Sequence, residues 1–446
     1  MLGQQAIRAG ASLRSNNMRQ PRNLVPVTRP VADASVEPAL HVWSTPIDDV
    51  TDLLALLPGH QAVAWLRDGE GLIGWGEAAR YEVAGSERFS RANRWWARVC
   101  DTATIDDAVM RPGSGPVAFA SFAFDSDPGS SVLVVPEVVV GRRDGKAWLT
   151  VTSTSRQRPD IDLAATTTVH APGVVAFESS EADLRLWESR VAEAIERIGR
   201  GELDKVVLAR DVVATADQPI DVRHLLTRLS AEYPQCWAFS VDGLIGATPE
   251  LLIRREGDRV TSRVLAGTIR SDSDSSEDGR LAQALLGSGK DQEEHRYAVS
   301  SVAAALATHC TDLEVPSQPS VLRLANVQHL ATDVTGLLVH DTSVLALAAS
   351  LHPTAAVCGT PTERAFAMIR SIELIERGRY AGPVGWIDAN GDGEFGIALR
   401  CGQIDSDDPQ SIRLFAGCGI VAGSDPQSEG AESEAKLLAM RHALSS

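Results

Sequence analysis

Two glutamates and a lysine near the C-terminus stand at helical spacing. They are Glu429, Glu432 and Lys436, within Ser428-Glu-Gly-Ala-Glu-Ser-Glu-Ala-Lys436. Residues three and seven apart share one helical face. Two carboxylates one turn apart can share a hard divalent cation. Ahead of them lies Ala416-Gly-Cys-Gly-Ile-Val-Ala-Gly423. Closely spaced glycines let backbone amides approach a ligand and suit an anion. Taken alone, the segment reads first as an ordinary charged helix with a solvated face after a flexible loop.

Three further positions carry chemistry-bearing side chains in unusual settings. Lys290-Asp-Gln-Glu-Glu-His295 opens a helix. Its acids either stabilise the helix N-terminus or bring Glu294 to the same cation as a third carboxylate. Lys205 precedes Val206, Val207 and Leu208 on a strand. Such a lysine either guards a strand edge or is buried with a lowered pKa and serves as a base. Glu250, in Gly246-Ala-Thr-Pro-Glu-Leu-Leu252, begins an apolar strand. A carboxyl among apolar neighbours stays protonated near neutrality and can act as an acid; otherwise it is a turn residue.

The elements that must position these groups are legible. Leu184, Trp187, Val191, Ile195 and Ile198 recur at helical steps, so a helix is expected over 180–199, with Ser180 and Glu181 at its start. Strands are expected within 61–83 and 115–153, at 205–213, 236–247, 250–255, 259–264, 320–338, 383–388, 394–402 and 411–418. Helices are expected at 86–99, 222–232, 278–287, 290–309, 342–350, 361–377 and 427–444. Ser271–Asp278 reads as an exposed polar loop. Strands and helices mix without regular β-α-β alternation. A large α+β sheet architecture is therefore expected rather than a doubly wound fold.

The chain has 446 residues, with 59 acids against 42 lysines and arginines and a formal charge of −17. That field argues against nucleic acid and anionic membranes as partners. It still permits an anionic small molecule if local cations face it. No apolar run reaches the ~18–20 residues of a spanning helix. Six scattered cysteines without a CxxC pair suit a reducing cytoplasm better than a disulfide framework or a zinc site. Residues 1–32 hold five arginines and no acid. Residues 1–35 are expected to be a disordered tail and 36–446 a single catalytic domain, with the chemistry in 180–446. The two GxGxxG strings, at 69–74 and 391–396, lie in or before strand text and open no helix, so neither reads as a dinucleotide-binding loop; there is no P-loop motif, no GxSxG elbow and no HExxH.

Each signal is weak alone, but their order is specific. Lys205-Val-Val-Leu-Ala-Arg210, Gly246-Ala-Thr-Pro-Glu250, Leu265-Ala-Gly-Thr268, Lys290-Asp…Glu-His295, Val327-Gln-His-Leu330, Leu351-His-Pro…Gly359 and Gly417…Glu429…Glu432…Lys436 follow one another. This series resembles the chorismate-utilising enzymes. The resemblance implies one α/β (α+β) domain of two large stacked β-sheets with helices outside. It implies Mg²⁺ held by Glu294, Glu429 and Glu432, and chorismate as the substrate. Gly267 and Thr268 match a loop facing the ring carboxylate. Tyr380 and Arg400 match residues that hold the enolpyruvyl carboxylate. Gly417 and Gly419 match a loop of backbone amides, and Lys436 matches a lysine near the metal. His329 matches a histidine near the leaving hydroxyl. Lys205 looks like the water-activating base, and Glu250 like the acid that protonates the leaving group.

The resemblance also separates branches. A lysine at 205 favours water over ammonia as the nucleophile. Salicylate synthases typically carry a threonine where this chain has Ala356; Thr354 is displaced by two positions. The pattern implies chorismate-to-isochorismate conversion, feeding menaquinone or siderophore synthesis. Salicylate synthase, or an inactive chorismate-binding relative, stands as the alternative. A monomer is expected.

Overall fold

The strands collect into two large sheets, one of thirteen strands and one of ten among the described residues. The computed structural model describes residues 39–59, 61–127, 129–271, 275–324 and 327–445, which make one compact unit. The tail expected at 1–35 lies outside them.

In the first sheet, Lys205–Ala216, Ser411–Ile420, Cys401–Ile404, Leu244–Thr248 and Trp237–Val241 lie side by side. In the second, Val327–Leu338, Arg259–Arg270, Leu251–Glu256, Gly393–Ile397 and Pro383–Asp388 do the same. These neighbours pair antiparallel. Trp237–Val241 and Pro383–Asp388 are buried at every position. Both of their faces are covered, which is why their text is mostly apolar rather than alternating.

The main core lies between the sheets. Trp65, Trp148, Trp237 and Phe239 of the first sheet join Phe119 and Phe395 of the second. The indoles of Trp65 and Trp237 both donate to Glu394 across the gap, each at 3.0 Å. Arg254 and Arg143 pair with the same carboxylate at 3.1 and 3.2 Å. A buried charge left unpaired costs several kcal/mol, roughly 3–5, so this cluster satisfies what it buries. A second core lies under Val222–Glu232 and Pro426–Leu444 on the other face of the first sheet.

The chain repeatedly steps from one sheet to the other. Thr248-Pro249-Glu250-Leu251 crosses outward, and Ile397-Ala398-Leu399-Arg400-Cys401 crosses back. The crossings brace each other. The Ile397 amide donates to the Glu250 carbonyl at 3.2 Å, and the Ala247 amide to the Arg400 carbonyl at 3.2 Å. The strand expected over 394–402 is therefore two strands in different sheets. Arg400 turns the corner in the left-handed region at φ 50°.

Other boundaries shift for local reasons. The helix expected to 377 ends at Ile372, where the Glu373 carboxylate turns to the Ala209 amide at 2.8 Å. The helix expected from 278 begins at Ser275, inside the loop expected over 271–278, of which residues 272–274 lie outside the described residues. The first long helix has the expected cap. Ser180 and Asp183 form a reciprocal capping box over Glu181–Gly199.

Candidate active site

All fourteen side chains and glycines singled out from the sequence line one cavity of ≈ 260 Å³. Its walls come from both sheets, the two crossings, and the helices Gly289–Leu306 and Pro426–Leu444. These residues lie up to 231 positions apart in the chain, from Lys205 to Lys436, so only the tertiary fold gathers them.

Lys205 begins its strand and is 4% exposed. That removes the strand-edge reading, since an edge guard must meet water. Its Nζ donates to Glu294 Oε1 at 2.6 Å. Burial alone would raise the Glu294 carboxyl, but Lys205, with Lys436 and Lys290, holds it below its ordinary value. Glu250 sits at the outward crossing and is 5% exposed. Burial pushes its carboxyl up to about 8, against the opposing pull of Lys205 and a hydrogen bond from the Leu265 amide. At neutral pH it is mainly the acid form.

The glycines expected in loops are in strands. Gly417 and Gly419 lie within Ser411–Ile420, opposite Ala209 and Val207. Their value is the missing side chain. A Cβ on Gly419 would stand 2.9 Å from Lys205 Cε and 3.0 Å from Glu294 Oε1. One on Gly417 would stand 3.0 Å from the Tyr380 hydroxyl. Gly419→Ala is therefore expected to displace the Lys205–Glu294 pair and cost about 100-fold in turnover, while thermal melting shows a folded protein. Wild-type turnover in that variant would remove the steric account.

Gly267 likewise lies in a strand, at φ +76°. It interrupts the register between Ala266 and Thr268 as a bulge. A bulge re-aims the next side chain. Thr268 then stands directly opposite His329, with Oγ1 3.0 Å from Nδ1. Arg400 Nη2 donates to His329 Nε2 at 3.2 Å. Arginine only donates, so Nε2 carries no proton and the ring proton is on Nδ1. Burial, then Arg400 and Lys436, hold His329 well below its ordinary pKa, so the ring is neutral. Tyr380 stacks on Phe415 with centroids 5.1 Å apart.

The C-terminal helix is not a solvated one. It starts with Asp425 accepting from the Ser428 amide at 2.9 Å, and Pro426 opens its first turn. Glu181–Gly199, Val222–Glu232 and the first sheet all pack against it. Glu429 is consequently 6% exposed. Burial and the neighbouring charge of Glu432 raise its pKa. Lys436 Nζ reaches Glu432 Oε1 at 2.7 Å and the Gly417 carbonyl at 2.8 Å. Two crowded carboxylates in a buried wall favour a cation between them, and oxygen donors suit a hard one. Among the described residues, ligand atoms of Glu429, Glu432 and Cys418 lie within 4.8 Å of one another. Burial pushes the Cys418 thiol far up, so it is a poor ligand for a hard ion. Glu294 shares the cavity with Glu429 and Glu432, but its carboxylate is engaged by Lys205.

Arg377, Phe415 and Lys290 line the same cavity and were not foreseen as site residues. Arg377 lay inside an expected helix, and nothing in local text marks an arginine for burial. Ala356 lines the wall and Thr354 is not among the lining residues.

Comparison with known proteins agrees with this geometry. Residues 33–445 match the chorismate binding enzyme family, and the chain belongs to it. Isochorismate synthase MenF of Bacillus subtilis is 33% identical over 403 residues, covering 84% of this chain and 85% of that protein. Isochorismate synthase DhbC of the same organism is 41% identical over 271 residues, covering 58% of this chain and 67% of that protein. The structure of MenF, the menaquinone-specific isochorismate synthase from Escherichia coli, superposes with a TM-score of 0.74 at 26% identity. It covers 92% of this chain and 97% of that one. Among the described residues, no helix is long and apolar enough to cross a membrane.

Proposed function

We propose that this protein is an isochorismate synthase that isomerises chorismate to isochorismate. One observation carries the reading. Lys205 and a carboxyl held protonated, Glu250, face one cavity that also presents Arg400, Lys436 and the Glu429–Glu432 pair. Chorismate is a dianion, and a chain of charge −17 binds it only through local cations. Arg400 suits a carboxylate because its planar fork makes paired hydrogen bonds. His329 holds that guanidinium from one side, and the neighbouring crossing fixes its backbone.

The chemistry needs a base and an acid in one closed space. Lys205 takes a proton from water while the water oxygen bonds to C2, which requires the ammonium that pairs with Glu294 to have given up a proton first. The ring double bonds shift and the C4–oxygen bond breaks. Glu250 gives its proton to the departing hydroxyl, which leaves as water. Atoms balance, so the net change is an isomerisation. Glu250 suits the acid role because burial keeps it protonated near neutrality.

Mg²⁺ is the metal we assign to this site, with Glu429 and Glu432 holding it; Glu294 lines the same cavity, but its carboxylate is taken by Lys205. When bound, it would neutralise the ring carboxylate as charge moves through the ring. Six unpaired cysteines favour a reducing compartment, and we assign the protein to the cytoplasm.

The test is a product assay with chorismate and Mg²⁺, with and without EDTA, resolved by chromatography. Isochorismate without pyruvate, lost with EDTA, is the expected result. Salicylate with pyruvate would overturn the assignment in favour of elimination and show that Ala356 does not block it. No product would favour a chorismate-binding protein without turnover.

A further inference from the structure

The strand that carries Lys205 has a gap in its ladder. On the edge away from Ser411–Ile420, Lys205 and Val206 pair with the two-residue strand Gly359–Thr360. Val175–Glu178 pairs again only from Val213 onward. Between them the outward-facing backbone groups of Val207 and Ala209 have no strand partner, yet all four are satisfied. The Val207 amide donates to the Cys358 carbonyl at 2.8 Å. The Val207 carbonyl accepts from Arg377 Nη2 at 2.8 Å. The Ala209 amide donates to Glu373 Oε2 at 2.8 Å. The Ala209 carbonyl accepts from the Trp187 indole at 3.1 Å.

Arg377 and Glu373 thus stand in for a missing strand. They are also locked to each other. Arg377 Nε donates to Glu373 Oε1, and Nη2 to Oε2, both at 2.7 Å. The remaining terminal nitrogen, Nη1, donates to the Val357 carbonyl at 2.8 Å. Arg377 is 4% exposed, and its guanidinium lies 4.2 Å from the Phe124 ring centroid. One guanidinium therefore ties the backbone two residues beyond Lys205 to the backbone one residue beyond Ala356. Val207, Val357 and Arg377 all form cavity wall.

We propose that the Glu373–Arg377 pair is a positioning device for the reaction: it sets the placement of Lys205 against the segment carrying Ala356. This rests on the isochorismate synthase reading above. A planar fork with several donors is required, because four acceptor atoms must be met in fixed directions. A lysine would keep the charge and lose the fork. Neither residue touches the reacting atoms, so neither is catalytic. Misplacing a base by about 1 Å can cost about 100-fold in rate with little effect on binding.

Arg377→Lys and Glu373→Gln test this, with the double variant Glu373→Gln/Arg377→Met to remove both charges at once if a single buried charge unfolds the chain. Turnover is measured well below the melting temperature and corrected for folded fraction; chorismate affinity is measured by calorimetry. The expected result is a fall in kcat of about 30- to 100-fold, with affinity within about threefold of wild type. A purely structural pair would lower the melting temperature and leave kcat per folded molecule unchanged. That outcome, in any variant that folds, overturns the proposal. Failure of the functional reading is separate: wild-type protein would then form no isochorismate at all.

Discussion

Replacing Lys205 with alanine is expected to reduce turnover about 10²- to 10⁴-fold, the range open to a positioned acid or base. Chorismate should still bind, because Arg400 and Lys436 remain. The variant also leaves Glu294 without its 2.6 Å partner. Removing one partner of a buried ion pair costs roughly 3–5 kcal/mol, so the melting temperature should fall clearly. A second variant separates the effects. Lys205→Ala/Glu294→Gln removes the orphan charge and should regain stability without regaining turnover. Chromatographic rate measurement with calorimetric binding reads both quantities. Turnover of Lys205→Ala within tenfold of wild type would remove Lys205 as the base.

Glu250→Gln is expected to behave in the opposite sense for stability. The carboxyl is held up to about 8 in the folded protein by burial, against an ordinary value of 4.5. Its contribution to stability is therefore fully present below about 4.5 and is lost as pH rises through about 8. Glutamine has no proton to lose. At pH 9 the variant should melt higher than wild type; at pH 4 it should gain almost nothing. Activity runs the other way. The acid form is the competent one, so wild-type kcat should fall as pH rises beyond about 8. Below about pH 8, Glu250→Gln should lose about 10²- to 10⁴-fold, since the amide cannot protonate a leaving hydroxyl. A wild-type kcat that stays flat to pH 10 would contradict the role, whatever the variant does.

These two residues illustrate how unequally the site could be read in advance. Glu429, Glu432 and Lys436 sit on one helix, and their spacing alone aligns them. The long amphipathic helix over 181–199 and the mostly apolar strands were equally local. They depend on periodicity, which the chain carries in its own text. The family resemblance joined Lys205, Glu250, His329 and Arg400 into one set through motif order, without saying how they touch.

What tertiary structure alone decided is burial and direction. The helix bearing Glu429 reads as a solvated charged helix until three elements close over it. Gly417, Gly419 and Gly267 read as loop glycines. They are strand glycines, whose use is to leave room for Lys205, Glu294 and Tyr380 or to place a bulge. Arg400 lies in what reads as one continuous strand, and only the division of that stretch between two sheets puts its side chain at a corner. Arg377 carries no local mark at all. Its partners are a helix end, a strand edge and a turn brought together by packing. Periodicity is a property of near neighbours. Desolvation, which sets Glu250 near 8 and keeps His329 neutral, depends on everything packed around a group, from positions hundreds of residues apart.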